Sequence, residues 1–168
     1  MSLSQPKRIL IIKLRHHGDV LLSTPVVDAL KTRFPDCEID MLVYAGTGQL
    51  IADNPQIAQI FTIDRNWKKL GIFKQLACEK NLFSKLKTRD YDWAFNLSDQ
   101  WRAAIIAKLC ARCSVGLDCI RRDGFWWRFC HDFINHELDP SHHIVENQLN
   151  ILAPLIQPED MADAKVRL

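Results

Sequence analysis

Short apolar runs alternate with helical patterns along most of this chain. Runs at residues 8–14, 38–44, 60–63 and 93–97, with a shorter one at 114–117, predict strands. Between them, apolar positions recurring at helical spacing predict helices near residues 20–34, 47–53, 68–88 and 99–112. Phe34-Pro35-Asp36-Cys37 combines a helix stop with the start of the second strand. The regular alternation predicts an α/β fold, a Rossmann-like parallel sheet with helices on both faces. Right-handed crossovers then leave few topologies open.

Past Gly116 the pattern loosens. Residues 118–139 mix Arg121, Arg122, Asp123 and Gly124 with the aromatic cluster Phe125-Trp126-Trp127-Arg128-Phe129. An amphipathic helix then opens at Ser141, a natural N-cap, with Val145, Leu149, Leu152 and Ile156 on one face and Pro158 beyond its end. There is no internal repeat and no low-complexity tract. The polar ending reads as a cut through a linker.

The first strand and its loop carry the sharpest chemical signal. Ile9–Ile12 is apolar, Arg15-His16-His17-Gly18-Asp19 breaks it, and a helical pattern follows. This arrangement puts the Asp19 carboxylate just outside the carboxyl end of a strand, where open α/β sheets gather ligands. Gly18 is expected to make the sharp turn, and the following helix N-terminus offers N–H groups to an anion. The alternative for Asp19 is a helix cap.

Composition narrows the class. The chain has 168 residues, 48% of them hydrophobic and 25% charged, enough for one full core or half of a larger protein. No window approaches the roughly 18 unbroken apolar residues of a membrane span, and the first nine residues lack a signal-peptide pattern, so a cytoplasmic address is expected. The net charge of +2 conceals an asymmetry: residues 65–89 hold eight basic residues and one acidic residue, Glu79. Such a segment fits an anionic partner or membrane surface, or simply a solvated helix face. Trp67, Phe73 and Phe83 interleave with its lysines, which favours an interfacial role. Six cysteines include the pair Cys110-Ala-Arg-Cys113. With no second pair or histidine partner nearby, buried reduced thiols are expected in place of a metal or redox site.

Two motifs together resemble a known family. Lys13-Leu-Arg-His-His-Gly-Asp-Val-Leu-Leu-Ser-Thr-Pro25 is similar to the amino-terminal signature of glycosyltransferase family 9, the lipopolysaccharide heptosyltransferases. Tyr91-Asp-Trp-Ala-Phe-Asn-Leu-Ser-Asp-Gln-Trp101 resembles that family's fourth-strand motif, in the form of its heptosyltransferase III branch. Asn54-Pro55 and His143-Ile-Val-Glu-Asn-Gln-Leu149 follow in the family's order. The resemblance implies the N-terminal domain of a GT-B glycosyltransferase, in which two Rossmann-like domains face each other across a cleft. Residues 1–156 would be the acceptor-side domain and 157–168 the start of the interdomain linker. The carboxyl-terminal nucleotide-sugar domain lies outside this chain.

The resemblance further implies inverting transfer of heptose from ADP-L-glycero-D-manno-heptose to a heptose of the lipid-A inner core. No metal or cofactor is implied, and the place of work is the cytoplasmic side of the inner membrane. Asp19 matches the proposed general base. Gly18 would let the substrate approach the backbone, and one of His16 and His17 would face it. Asn96 and Gln100 are expected to contact sugar hydroxyls, while Asp99 caps the next helix and Trp101 offers either a sugar platform or a core contact. Lys68, Lys69, Arg121 and Arg122 would meet the anionic acceptor or the anionic membrane surface. The Trp126-Trp127 pair fits a membrane interface or a core contact. Two other functions remain open: a non-catalytic acceptor- or anionic-lipid-binding module, and a nucleotide-binding oxidoreductase. The first loop lacks the G-x-G-x-x-G that the latter requires. Nucleic acid is not expected as a partner, because a basic helix alone marks no nucleic-acid-binding fold.

Overall fold

The computed structural model describes residues 5–14, 17–117, 124–135 and 144–156. Six strands form one sheet: β1 (Arg8–Lys13), β2 (Glu38–Tyr44), β3 (Gln59–Ile63), β4 (Tyr91–Asn96), β5 (Ala111–Leu117) and β6 (Phe133–Asn135). Their order is β3-β2-β1-β4-β5-β6, and every neighbouring pair is parallel. This is the doubly wound, Rossmann-like topology. The order reverses at β1, whose neighbours β2 and β4 are reached by crossovers on opposite faces.

The period-2 alternation of β1 sorts its side chains between two cores. Ile9 and Ile11 join Ile39, Met41, Val43, Trp93 and Phe95 beneath α2 (Thr24–Arg33). Ile151, Leu152 and Ile156 close the same layer, after the short helix α6 (Ile144–Leu149). Leu10 and Ile12 turn the other way, towards Leu82 and Leu86 of α3 (Ile72–Lys87) and Ala103, Ile106 and Ala107 of α4 (Trp101–Cys110). Helices therefore cover both faces, as the alternating pattern implies.

Some boundaries differ from the sequence expectation. The helix expected over 20–34 is two pieces, α1 (His17–Leu21) and α2, because Pro25 occupies the first turn of α2 and cannot continue an earlier helix. Ser23 and Thr24 hydroxyls donate to the Val20 and Leu21 carbonyls at the break (2.6 and 2.8 Å). Gly18, where a sharp turn is expected, lies inside α1 and has no positive φ. The helix expected at 47–53 is a 3-10 segment over Gly48–Ile51, and another 3-10 segment, Arg65–Lys69, precedes α3. Both α5 (Phe125–Phe129) and β6 arise where the pattern had loosened. The expected caps at Ser141 and Pro158, and the 157–168 linker, lie outside the described residues.

Cys110 ends α4 and Cys113 sits on β5, both buried and unpaired. Burial pushes each thiol up to about 11, so neither is a ready thiolate. Among the described residues, no group of three or more His, Cys, Asp or Glu side chains is placed to hold a metal ion.

The amino-terminal edge of the sheet is held by an ionic cluster. Asp40, fully buried on β2, accepts from Arg89 Nε and Tyr91 OH at 2.8 and 2.7 Å. Arg89 also reaches Glu38 at 2.8 Å, and Glu38 meets Arg8 at 2.9 Å. Removing one partner of a buried pair leaves the other charge without compensation. Arg89→Met is expected to destabilise the fold by on the order of 3 kcal/mol. Arg112→Met, which breaks the exposed pair with Asp90, is expected to change stability by less than about 1 kcal/mol. Urea unfolding of the two variants tests this; equal losses would remove the special weight of Asp40.

Candidate active site

The carboxyl edge of the sheet gathers most of the described polar groups singled out above. At the end of β1 the side chain of Lys13 is almost wholly buried, and its ammonium donates to the Leu97 carbonyl at 3.1 Å. Its Nζ also stands 4.0 Å from Asp19 Oδ2. Desolvation pushes the Lys13 ammonium below the usual lysine range, while Asp19 and then Asp99 act in the opposite direction. The next residue, Leu14, donates its backbone N–H to Ser98 Oγ at 2.6 Å. The loops after β1 and β4 are thus tied together where the strand order reverses, and Asp19, about a quarter exposed, stands at that point.

Asn96 lies at the inner end of this arrangement. It is fully buried on β4; its Oδ1 accepts the Ser98 N–H at 3.0 Å, and its amide nitrogen lies 3.1 Å from His131 Nε2. The other ring nitrogen, Nδ1, is 3.0 Å from the Trp127 carbonyl. A carbonyl can only accept, so Nδ1 carries the proton and Nε2 accepts from Asn96. Asn96 therefore braces the β4 loop, with its side chain fully buried. His131 also sits against Gly116, where a Cβ would come within 2.6 Å of the ring. Only glycine leaves room there.

Gln100 is only partly buried. It occupies the N-cap position of α4 without capping the helix, and its Oε1 accepts from Tyr44 OH at 2.6 Å. Since β2 and β4 flank β1, this bond bridges the carboxyl end of the central strand. Beside it lies a cleft of about 420 Å³ lined by Tyr44, Asp64, Arg65, Trp67, Lys68, Gln100 and Arg102. The Arg65 guanidinium stacks over the Tyr44 ring at 4.2 Å, and Arg102 lies 5.8 Å from the Trp67 ring centre. Three cations and an aromatic wall suit a polar, anionic, ring-bearing ligand.

Of the expected binding residues, Lys68 lines this cleft and Lys69 follows it, exposed, in the same 3-10 segment. Gly18 is exposed, and a Cβ there would meet nothing within 4 Å. His17 begins α1, but its side chain lies outside the described part, as do residues His16, Arg121 and Arg122. Ser98 Oγ accepts from Leu14, and the N-cap position of α4 falls on Gln100, one residue after the expected Asp99. The tryptophan pair divides: Trp127 is buried edge-on against Trp101 with ring centres 5.6 Å apart, and Trp126 is exposed. Sequence reasoning missed Lys13, Tyr44, Arg65 and Arg102. For Lys13 the signal was present, a lysine closing an apolar run.

The family model for glycosyltransferase family 9 (heptosyltransferase) matches residues 80–167. Lipopolysaccharide heptosyltransferase 3 of Escherichia coli K12 is 38% identical over 147 residues, covering 84% of this chain and 40% of that protein. The chain thus spans well under half the length of this relative. Escherichia coli heptosyltransferase WaaC, solved with ADP-2-deoxy-2-fluoro heptose, superposes with a TM-score of 0.76 at 21% identity over 88% of this chain and 47% of its own. A glycosyl transferase family 9 structure from Veillonella parvula gives a TM-score of 0.75 at 22% identity, covering 99% of this chain and 44% of its own. At these identities the two structures speak to the fold.

The His131 brace yields a pH dependence. Burial pushes its imidazole below the usual value of 6.5, outweighing the upward effects of the Trp127 carbonyl and Asp132. Below about pH 6.5 the unfolded chain takes up a proton that the folded chain excludes, so stability holds at neutral pH and falls on acidification. The melting temperature is expected to drop between about pH 7 and 5.5, with a shallower slope in His131→Gln. Parallel pH curves for the two proteins would show that His131 is not the linked group.

Proposed function

The chain belongs to glycosyltransferase family 9, and from that membership we propose that its parent protein transfers heptose to the lipopolysaccharide inner core, with this segment as the acceptor-side domain. The donor is ADP-L-glycero-D-manno-heptose, and the acceptor is a heptose of the lipid-A core. The observation that carries the reading is the Asp19 carboxylate at the strand-order reversal, 4.0 Å from the buried Lys13 ammonium.

In the proposed step, Asp19 takes the proton from an acceptor hydroxyl as its oxygen attacks the anomeric carbon. The new glycosidic C–O bond forms as the bond to the diphosphate breaks, with inversion, and ADP leaves. Lys13 acts on the carboxylate through its charge and through the Leu97 carbonyl that fixes it. Gln100, held by Tyr44, is placed to meet a sugar hydroxyl. Arg65, Lys68 and Arg102 give the cleft a charge suited to the phosphates and acidic sugars of a core acceptor. Work at the cytoplasmic face of the inner membrane follows from a lipid-borne acceptor.

A second reading is an acceptor-binding module without catalysis, for which the anion-suited cleft is the support. The oxidoreductase reading finds no support in Arg15-His16-His17-Gly18-Asp19, which lacks the glycine spacing a dinucleotide pyrophosphate needs.

Mass spectrometry of heptose transfer from ADP-heptose to a heptose-bearing core oligosaccharide tests the proposal. The comparison takes this chain alone, the chain within a polypeptide of the relatives' full length, and that polypeptide carrying Asp19→Asn. Transfer is expected only from the longer polypeptide, reduced roughly 10²–10⁴-fold by Asp19→Asn. Undiminished transfer by Asp19→Asn would remove the assigned base, and no transfer by the longer polypeptide would remove the reaction.

A further inference from the structure

The outward side of α3 and α4 is left unexplained by the cleft. Of the sixteen residues of α3 only Leu82 and Leu86 are buried, both in its second half. In the first half every residue is exposed or only partly buried. There Phe73 is 89% exposed and Ile72 75%, with Leu76, and Leu70 just before the helix, also open to solvent. On α4, Ile105 and Leu109 are exposed in the same way. Between the helices runs an apolar groove of about 650 Å³, whose walls include Leu76, Phe83, Ile105 and Leu109. Soluble surfaces rarely carry a continuous apolar patch of this kind without a partner.

Charge identifies the partner. Lys68, Lys69, Lys74, Lys80, Lys85 and Lys87 lie on or just before α3. The single acidic residue of the segment, Glu79, is ion-paired with Arg102. Every cation of α3 is lysine and none is arginine. Protein interfaces deplete lysine and favour arginine and tyrosine. Lysine stems instead lie along an apolar surface and send their ammonium groups outward, which suits a lipid headgroup layer above acyl chains.

We propose that Ile72, Phe73 and Leu76 of α3, with Ile105 and Leu109 of α4, form a docking face that inserts into the surface of an anionic lipid bilayer, the lysines of α3 meeting the headgroups. Arg102 lines both this groove and the anion-suited cleft, so the two are contiguous. A bilayer held here puts headgroup-level ligands at the mouth of the cleft; this link to a lipid-borne acceptor rests on the proposed function, whereas the docking itself does not. Among the described residues no helix is long and apolar enough to cross a membrane, so the contact is with the surface.

Co-sedimentation of this chain with vesicles of phosphatidylcholine alone, and of phosphatidylcholine mixed with phosphatidylglycerol, tests the proposal. Binding is expected to the mixed vesicles, to weaken as salt is raised, and to be at least several-fold weaker on phosphatidylcholine alone. Ile72→Ser with Phe73→Ser should lower partition roughly tenfold, and Lys74→Gln with Lys80→Gln should reduce the anionic preference. All four residues are exposed, so melting curves should be unchanged and a folding defect can be told apart. Trp126→Ser with Phe129→Ser, altering exposed aromatics on α5, should leave binding intact.

No binding to mixed vesicles, or binding lost with the α5 pair and retained without Ile72 and Phe73, would overturn the proposal. So would a concentration-dependent dimer abolished by the Ile72–Phe73 variant, which would make a second copy the occupant. Vesicle binding by this chain, with no heptose transfer by the longer polypeptide, removes the proposed reaction and keeps the docking face. Transfer to lipid-free core oligosaccharide without vesicle binding does the reverse.

Discussion

A lysine inside the end of the central strand is the constraint around which the carboxyl edge is built. An ammonium with little access to water needs partners. Lys13 finds one in the Leu97 carbonyl and a counter-charge in Asp19. Those partners belong to the loop after β4 and to α1, the short helix after β1, at the point where the strand order reverses. Meeting the needs of one buried charge therefore fixes the β4 loop and α1 relative to each other. The Leu14–Ser98 bond and the Ser98–Asn96–His131 chain extend that hold inward to β5 and β6. A carboxylate in this place is positioned by the sheet itself, which is more rigid than loop packing alone.

The two ends of the sheet divide their roles. At the amino edge, Asp40, Arg89, Tyr91 and Glu38 satisfy one another and line none of the clefts described above. Charge there closes on itself and serves stability. At the carboxyl edge, Arg65, Lys68 and Arg102 gather around a cavity with Asp64 as the only carboxylate in its lining. Arg65 is stacked on a tyrosine, so an anion could be met by guanidinium and ring edge together. The imbalance of charge at this edge is what marks it for ligand binding.

The strands were legible because each is an apolar run between breakers, and β2 matches its expected limits residue for residue. Strand β6 was not, since Phe133-Ile134-Asn135 is three residues long and owes its pairing to β5, which no local pattern encodes. The helix after β1 was drawn too long because its apolar spacing survives the break at Pro25. Gln100 and Lys68 were legible as polar residues following strands. Their neighbours Tyr44, Arg65 and Arg102 were not, because the cleft draws them from the ends of three separate elements. The place of Asn96 was not legible for a physical reason: an amide at a strand end serves a buried hydrogen-bond chain as readily as a ligand, and sequence does not give its burial.

Burial also decides between the two readings of the basic segment. A solvated helix normally keeps an apolar stripe for the core and charge for water. In α2 seven of ten residues are buried, as such a stripe requires. In α3 two of sixteen are, yet Ile72, Phe73 and Leu76 stand in solvent among lysines. A helix of this length is only marginally stable through its backbone alone, and most helical stability comes from packing an apolar face. The amino-terminal half of α3 thus carries apolar residues that the core does not use, beside a cleft suited to anions. A solvated face would have no need of them; a surface made to meet an apolar, negatively charged phase does.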